Sequence, residues 1–264
     1  MIPVFRCKIS RVGRVIVVAN QKGGVGKTTT VANLGAALAE LGKRVVLIDL
    51  DPQGSLTAGL GFDPYSLTRT AYTLLSRDRV SFGSVLRTVN ERLVLVPASV
   101  DLAHLDVEQG ADSHKAFRLR AAIEGSRVPA DFFIIDTPPN LGLLTANALV
   151  AARELLVPVQ CTYLSMRGVR GLLEAVYRVH DRLNAELALL GILATLYKPG
   201  SDHAYDVLEE LRTTFGDRLF STVIEEDDAA AQAPAAHQSV LAYRPQSEAA
   251  GAFRRLAEEV IGND

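Results

Sequence analysis

A doubly wound α/β domain, with a mostly parallel sheet covered by helices on both faces, is the fold that this sequence predicts. Three observations carry the expectation. Short apolar runs alternate with stretches of helical periodicity along nearly the whole chain, the pattern of parallel strands joined by crossover helices. The leading runs are apolar at successive residues, as strands buried on both faces are. Glycines or aspartates stand where several runs end, and open parallel sheets bind ligands at the carboxyl ends of their strands. No long polar linker interrupts the alternation. Residues 14–264 are therefore expected to form one domain, behind a basic tail at 1–13 that carries Arg6, Lys8 and Arg11, with Arg14 following at once. At 264 residues and 48% hydrophobic, the chain can bury a substantial core.

The first strand is Val15-Ile16-Val17-Val18-Ala19, and it runs into Gln21-Lys22-Gly23-Gly24-Val25-Gly26-Lys27-Thr28-Thr29-Thr30. A phosphate-binding loop reads G-x-x-x-x-G-K-[ST] between a strand and a helix. Gly26, Lys27 and Thr28 fill its last three places, while Gln21 stands at the first. The loop is thus a deviant one with a second lysine, Lys22. Glycines 23, 24 and 26 allow backbone turns closed to other residues. The N–H groups of Gly23, Gly24, Val25, Gly26, Lys27, Thr28 and Thr29 can then converge on phosphate oxygens. The helix that starts near Thr28 adds the positive end of its dipole. In such a loop Lys27 reaches the β- and γ-phosphates, and the Thr28 hydroxyl ligates Mg²⁺. Val31, Leu34, Ala37, Leu38 and Leu41 follow at helical spacing, and Gly42 suits the helix C-terminus.

The second strand, Arg44-Val45-Val46-Leu47-Ile48, ends in Asp49-Leu50-Asp51-Pro52-Gln53. Strand alternation puts the Asp49 and Asp51 carboxylates on one side. A later run, Phe132-Phe133-Ile134-Ile135, ends in Asp136-Thr137-Pro138-Pro139. An apolar strand closed by one aspartate is the usual Mg²⁺-holding Walker B element. A lone strand-end aspartate is commonly a cap or turn residue. Three of them at two strand ends, behind a phosphate loop, point to a nucleotide and metal site.

With these motifs the chain resembles the ParA-type ATPases, the group of P-loop NTPases that includes the MinD and Soj proteins. The matching residues are Lys22 to Thr29, Asp49 to Gln53, Asp136 to Leu144, and Val157-Pro158-Val159-Gln160-Cys161. The likeness runs from about Arg14 to about Ile261. The resemblance implies catalytic roles for Lys22, Lys27 and Asp51. Lys22 looks like the signature lysine that reaches across a homodimer to the partner's ATP, and Asp51 like the residue that positions the attacking water. Thr28 resembles the direct Mg²⁺ ligand, with Asp49 and Asp136 in the metal and its water shell. Thr137 to Gly142 resemble the switch that senses the γ-phosphate. The resemblance also implies slow, Mg²⁺-dependent hydrolysis of ATP to ADP, coupled to dimerisation. The ATP dimer would bind non-specific double-stranded DNA, and a ParB-like partner would stimulate turnover. A cytoplasmic, nucleoid-associated protein that segregates chromosomes or plasmids is the expectation. A MinD-like or cargo-positioning ATPase, and a nucleotide-held regulator with negligible turnover, are the alternatives.

Other features bear on those expectations. The only cysteines, Cys7 and Cys161, have no metal-ligand spacing, which fits a reducing compartment and counts against the nitrogenase iron proteins that share the deviant loop. No apolar run is long enough to span a bilayer, and the N-terminus lacks a secretory h-region. Residues 1–150 carry 17 Lys and Arg against 13 Asp and Glu, whereas residues 151–264 carry 11 against 17. A pI near 6.2 is no nucleic-acid signature, so DNA contacts need a local patch. Arg167, Arg170, Arg212, Arg218, Arg254 and Arg255 are candidates, with Lys198 near the expected adenine. The chain departs from its relatives after the strand Thr222-Val223-Ile224. Glu225-Glu226-Asp227-Asp228 replaces a proline-led segment that helps to hold adenine. It reads as a solvated loop, with a changed adenine pocket or a repulsive patch that shapes DNA or partner choice as the alternatives. Gln246 and Glu248 stand where relatives carry basic residues. The last segment, 248–261, reads as an amphipathic helix. Its mixed charge favours packing on the domain over lying on a membrane.

Overall fold

The computed structural model describes residues 13–77, 80–107, 113–162 and 165–262, without the side chains of residues 107, 113 and 165–170. Arg6, Lys8, Arg11 and Cys7 of the N-terminal tail, the Arg167 and Arg170 side chains, and Asp264 lie outside the described residues. The strands are β1 (Arg14–Val18), β2 (Val45–Asp49), β3 (Arg87–Thr88), β4 (Leu93–Val96), β5 (Phe132–Asp136), β6 (Glu154–Gln160), β7 (Ala188–Tyr197) and β8 (Leu219–Glu225). Between and after them come α1 (Lys27–Glu40), α2 (Ser55–Gly59), α3 (Ala71–Ser76), α4 (Leu102–Val107), α5 (Arg118–Glu124), α6 (Leu143–Ala151), α7 (Ser165–Arg182), α8 (Asp202–Phe215), α9 (Asp228–Gln232), α10 (Val240–Tyr243) and α11 (Glu248–Gly262). The strands form one sheet in the order β3-β4-β2-β5-β1-β6-β7-β8. Only the β3–β4 pair is antiparallel.

Strand alternation divides the core in two. Val15, Val17, Phe133 and Ile135 face one side with α6 and α8, while Ile16, Val18, Phe132 and Ile134 face the other with α1 and α11. Both sheet faces are thus covered, which is why the strands of the centre read as unbroken apolar runs. The predicted C-terminal helix packs on this second face, burying Phe253, Leu256 and Val260. Its Glu259 carboxylate accepts hydrogen bonds from the N–H groups of Ser221 and Thr222 and from the Thr222 hydroxyl. Those N–H groups belong to the edge strand β8, so α11 also closes the sheet edge.

One sequence expectation about a helix end is met in detail, and one about the basic segment is corrected. Helix α1 closes with Gly42 at φ +82°. Gly42 N–H donates to Ala39 O and Lys43 N–H to Leu38 O, the paired bonds of a Schellman motif. Arg14, grouped above with a basic segment, instead opens β1. Its guanidinium pairs with Glu154 at 2.7 Å and donates to Val260 O. Among the described residues no helix is long and apolar enough to cross a membrane.

Candidate active site

The loop after β1 lies at the middle of the sheet, where β5 flanks β1 on one side and β6 on the other. The chain leaves β1 for α1 on one face of the sheet and leaves β5 and β6 for α6 and α7 on the other, which opens a crevice at the carboxyl ends of these strands. Gly24 and Gly26 take φ of +72° and +85°, a left-handed geometry that side chains resist. The Asn20 side chain pins the start of the loop by donating to Pro158 O and accepting from Lys22 N–H. Thr195 on β7 pins its middle by donating to Val25 O at 2.9 Å. Lys27 opens α1 and is 7% exposed, with Nζ donating to Lys22 O. Burial lowers its pKa, and the nearby Asp136 and Asp51 carboxylates oppose that shift. Lys22 is half-buried beside β6, where Nζ donates to Gln160 Oε1 and Thr162 Oγ1, both at 3.2 Å.

The three aspartates converge here, and their surroundings separate them. Asp49 is fully buried. Its Oδ2 accepts from Thr57 N–H at 2.9 Å and from Thr57 Oγ1 at 2.6 Å, and its Oδ1 accepts from Asp51 N–H. Burial pushes its carboxyl up to about 6, against the pull of those bonds. Asp136 is also fully buried, and neither of its oxygens has a hydrogen-bond partner in the protein. Burial, then the Asp49 charge, push its pKa well up, while the Thr28 hydroxyl and Lys27 act in the opposite sense. The Thr28 hydroxyl lies close to the Asp136 carboxylate, outside hydrogen-bond geometry. Asp51 is half-buried and accepts from Gln53 N–H. Thr137 turns away from this group and donates to Val18 O.

A buried carboxylate with no donor is costly and fits a cation. Among the described residues no cluster of three or more His, Cys, Asp or Glu is placed to hold a metal by itself. That suits Mg²⁺, which is commonly held by one or two carboxylates together with substrate phosphates and water. Thr28 and Asp136 fit such a set. Asp49 has its lone pairs engaged by Thr57 and Asp51, which suits a place behind the ion.

A cavity of about 510 Å³ joins this phosphate end, with Lys27, Thr28, Asp51 and Pro139, to a more apolar end lined by Leu196, Ile224, Ala231, Pro234 and Phe253. Leu196 sits at φ +50°, unusual for a non-glycine residue, where the β7–β8 register shifts. The acidic run is solvated only in part: Glu226 and Asp228 are exposed, while Glu225 and Asp227 are half-buried. Glu225 closes β8 and lines this cavity with Asp227. Asp227 caps α9 by accepting from Ala229 N–H, and its other oxygen accepts from Ala249 N–H at the start of α11. Sequence reasoning missed this double cap, and missed Thr57 and Thr195, because each depends on a strand or helix remote in the chain.

The basic candidates do not gather here. Arg212 pairs with Glu209, Arg254 with Glu40 at 2.7 Å, and Arg218 donates to Leu189 O. Arg255 and Lys198 are exposed. Cys161 is buried, and burial pushes its thiol up to about 11.

Comparison with known proteins adds independent findings. A family model described as an AAA domain matches residues 13–189. The sporulation initiation inhibitor protein Soj of Bacillus subtilis is 39% identical over 251 residues, 95% of this chain and 99% of that protein. The chromosome partitioning protein ParA of Caulobacter vibrioides is 37% identical over 253 residues, 95% of each chain. A crystal structure named cobyrinic acid a,c-diamide synthase, from Mycobacterium smegmatis with a bound ATP analogue and magnesium, superposes with a TM-score of 0.81. It is 38% identical and covers 94% of this chain and 93% of its own.

Proposed function

The chain belongs to the AAA-domain family of ParA- and Soj-type partitioning ATPases, and on that premise we propose that it hydrolyses ATP to switch between a monomer and a DNA-binding dimer. The observation that carries the reading is Asp136: a buried, unpartnered carboxylate at the end of β5, beside Lys27 and Thr28 of the phosphate loop. The loop N–H groups and Lys27 hold the β- and γ-phosphates. Thr28 and Asp136 would hold Mg²⁺, and Asp49, fixed by Thr57, keeps the Asp51 turn in place by accepting from Asp51 N–H. Mg²⁺ bound there would supply neutralising charge for the phosphate oxygens. Asp51 orients the attacking water. Lys22, offered from a second copy, adds positive charge at the transferring group as an arginine finger does. Thr137 to Gly142 respond to the γ-phosphate.

Hydrolysis then depends on dimerisation. The ATP dimer binds non-specific duplex DNA on the nucleoid in the cytoplasm, and a ParB-like partner on a centromere-like site stimulates turnover. Support for this comes from the relatives' names and from likeness over nearly their whole length. The test is duplex-DNA binding by Asp51→Ala with ATP or ADP over a salt series. Binding that needs ATP and weakens steeply with salt is the expected result. Absence of binding in both states would sink the DNA part of the reading.

A second reading, amide synthesis on a corrinoid, has the name of the Mycobacterium smegmatis structure in its favour. Taking ammonia from glutamine needs an activated thiolate. Cys161 has the opposite character, being buried and harder to ionise than a free thiol. The partitioning reading is therefore preferred.

A further inference from the structure

The Asp106 carboxylate, on the short helix α4, reaches across to the loop that joins β5 to α6. Its Oδ2 accepts from Asn140 Nδ2 at 2.9 Å, and its Oδ1 accepts from Leu144 N–H at 3.1 Å. The loop is built around this contact. A Cβ on Gly142 would lie 2.5 Å from Asp106 Oδ1, so a side chain there would displace the carboxylate from this position. Asn140 Oδ1 faces Gly142 N–H at 3.4 Å, and Asn140 O accepts from Thr145 Oγ1 at 2.6 Å. The same short loop begins at Asp136 and carries Pro139 on the wall of the nucleotide cavity. One carboxylate thus holds both ends of the segment 140–144, and that segment starts four residues beyond the unpartnered Asp136. Helix capping alone would need only the Leu144 bond. The Asn140 bond and the room left by Gly142 go beyond a cap.

We propose that Asp106 is a positioning residue for ATP hydrolysis: its bond to Asn140 holds the 137–142 loop in the geometry that the reaction needs, and so couples α4 to the active site. The inference rests on the ATPase reading. Pre-set placement of polar groups around a phosphoryl transfer supports rate rather than affinity. The Asp106–Asn140 bond therefore acts on kcat and leaves KM for ATP nearly unchanged.

An exchange of the two side chains separates this role from capping. Asp106→Asn keeps an oxygen for the Leu144 N–H but turns a donor towards the Asn140 amide. Asn140→Asp alone sets two carboxylates against each other. Together, the two substitutions rebuild the bond with donor and acceptor reversed. Steady-state ATPase kinetics on the full chain, with DNA present, should show kcat falling by about tenfold in each single variant and returning to within about threefold of the parent in the double variant. KM should stay within about twofold throughout, and circular dichroism should show all three variants folded. Single variants with parental kcat, a double variant as slow as the product of the singles, or a change confined to KM would each overturn the proposal. A parent chain that binds no ATP would instead overturn the ATPase reading itself. That outcome is distinguished by titrating ATP binding before any kinetics.

Discussion

Asp49 and Asp136 show how one residue type is sorted by what surrounds it. Both close apolar strands, both are fully buried, and β2 and β5 pair them in register. Asp49 is supplied with three donors and Asp136 with none. Both carboxyls are nonetheless raised, Asp49 to about 6 from an ordinary 3.8. The native state therefore keeps protons that the unfolded chain releases, and stability contributed by these groups is lost as pH rises through the folded pKa. The metal-free protein should lose thermal stability as pH rises from about 5 to about 8, and Asp136→Asn should flatten that slope. MgATP should raise the melting temperature more at the higher pH, because a cation favours the ionised pair. Equal increments across that range in differential scanning fluorimetry would contradict the placement of Mg²⁺ at Asp136. The sequence made these aspartates visible through their strand-end positions. It held no sign of the difference between them, because Thr57 approaches Asp49 only after α2 has packed.

At the scale of elements, local signals decided most of the outcome. Helix α1 begins and ends where glycine, threonine and apolar spacing place its limits, because capping and left-handed turns depend on adjacent residues. The acidic segment 225–228 departs in part from a solvated loop for the opposite reason. Charge runs are usually solvated, but Asp227 finds two N–H donors, one of them 22 residues away at the start of α11. Close packing between elements is also invisible in sequence. Gly191 on β7 lies under the Phe220 ring of β8, where an added Cβ would meet Cε2 at 2.6 Å. Gly191→Ala should thus destabilise the protein by about 1–3 kcal/mol, in spite of alanine's lower backbone entropy cost. Phe220→Leu should recover part of the loss, and urea denaturation of the single and double variants measures both.

For the whole molecule, the proposed binding of DNA has to be met by a chain with net charge −2. Arg212 and Arg254 are paired with carboxylates on their own or a neighbouring helix, and exposed pairs of this kind are weak. Binding to a polyanion can therefore draw on them at little cost once two copies are joined. In the proposed dimer, Lys22 is the residue that joins the two copies. It rests on Gln160 and Thr162 of its own chain, through hydrogen bonds to neutral groups that a phosphate of the facing copy can replace. Sedimentation of Asp51→Ala with ATP should give a dimer, and adding Lys22→Ala should return it to monomer while ATP is still bound. A dimer that survives the loss of Lys22 would remove the proposed role in trans.

The sequence by itself determined the fold class, the phosphate loop, the strand-end aspartates and the terminal helix. Each of these is written in residues a few places apart, where backbone geometry, periodicity and capping act. The tertiary structure alone decided which groups are left free to work. Thr57 occupies Asp49, Thr195 steadies Val25 from 170 residues away, Asp227 joins α9 to α11, and Asp106 holds the loop after Asp136. These contacts follow from the strand order β3-β4-β2-β5-β1-β6-β7-β8. That order sets remote segments side by side, and buried polar groups then take whichever partners the packing brings within reach.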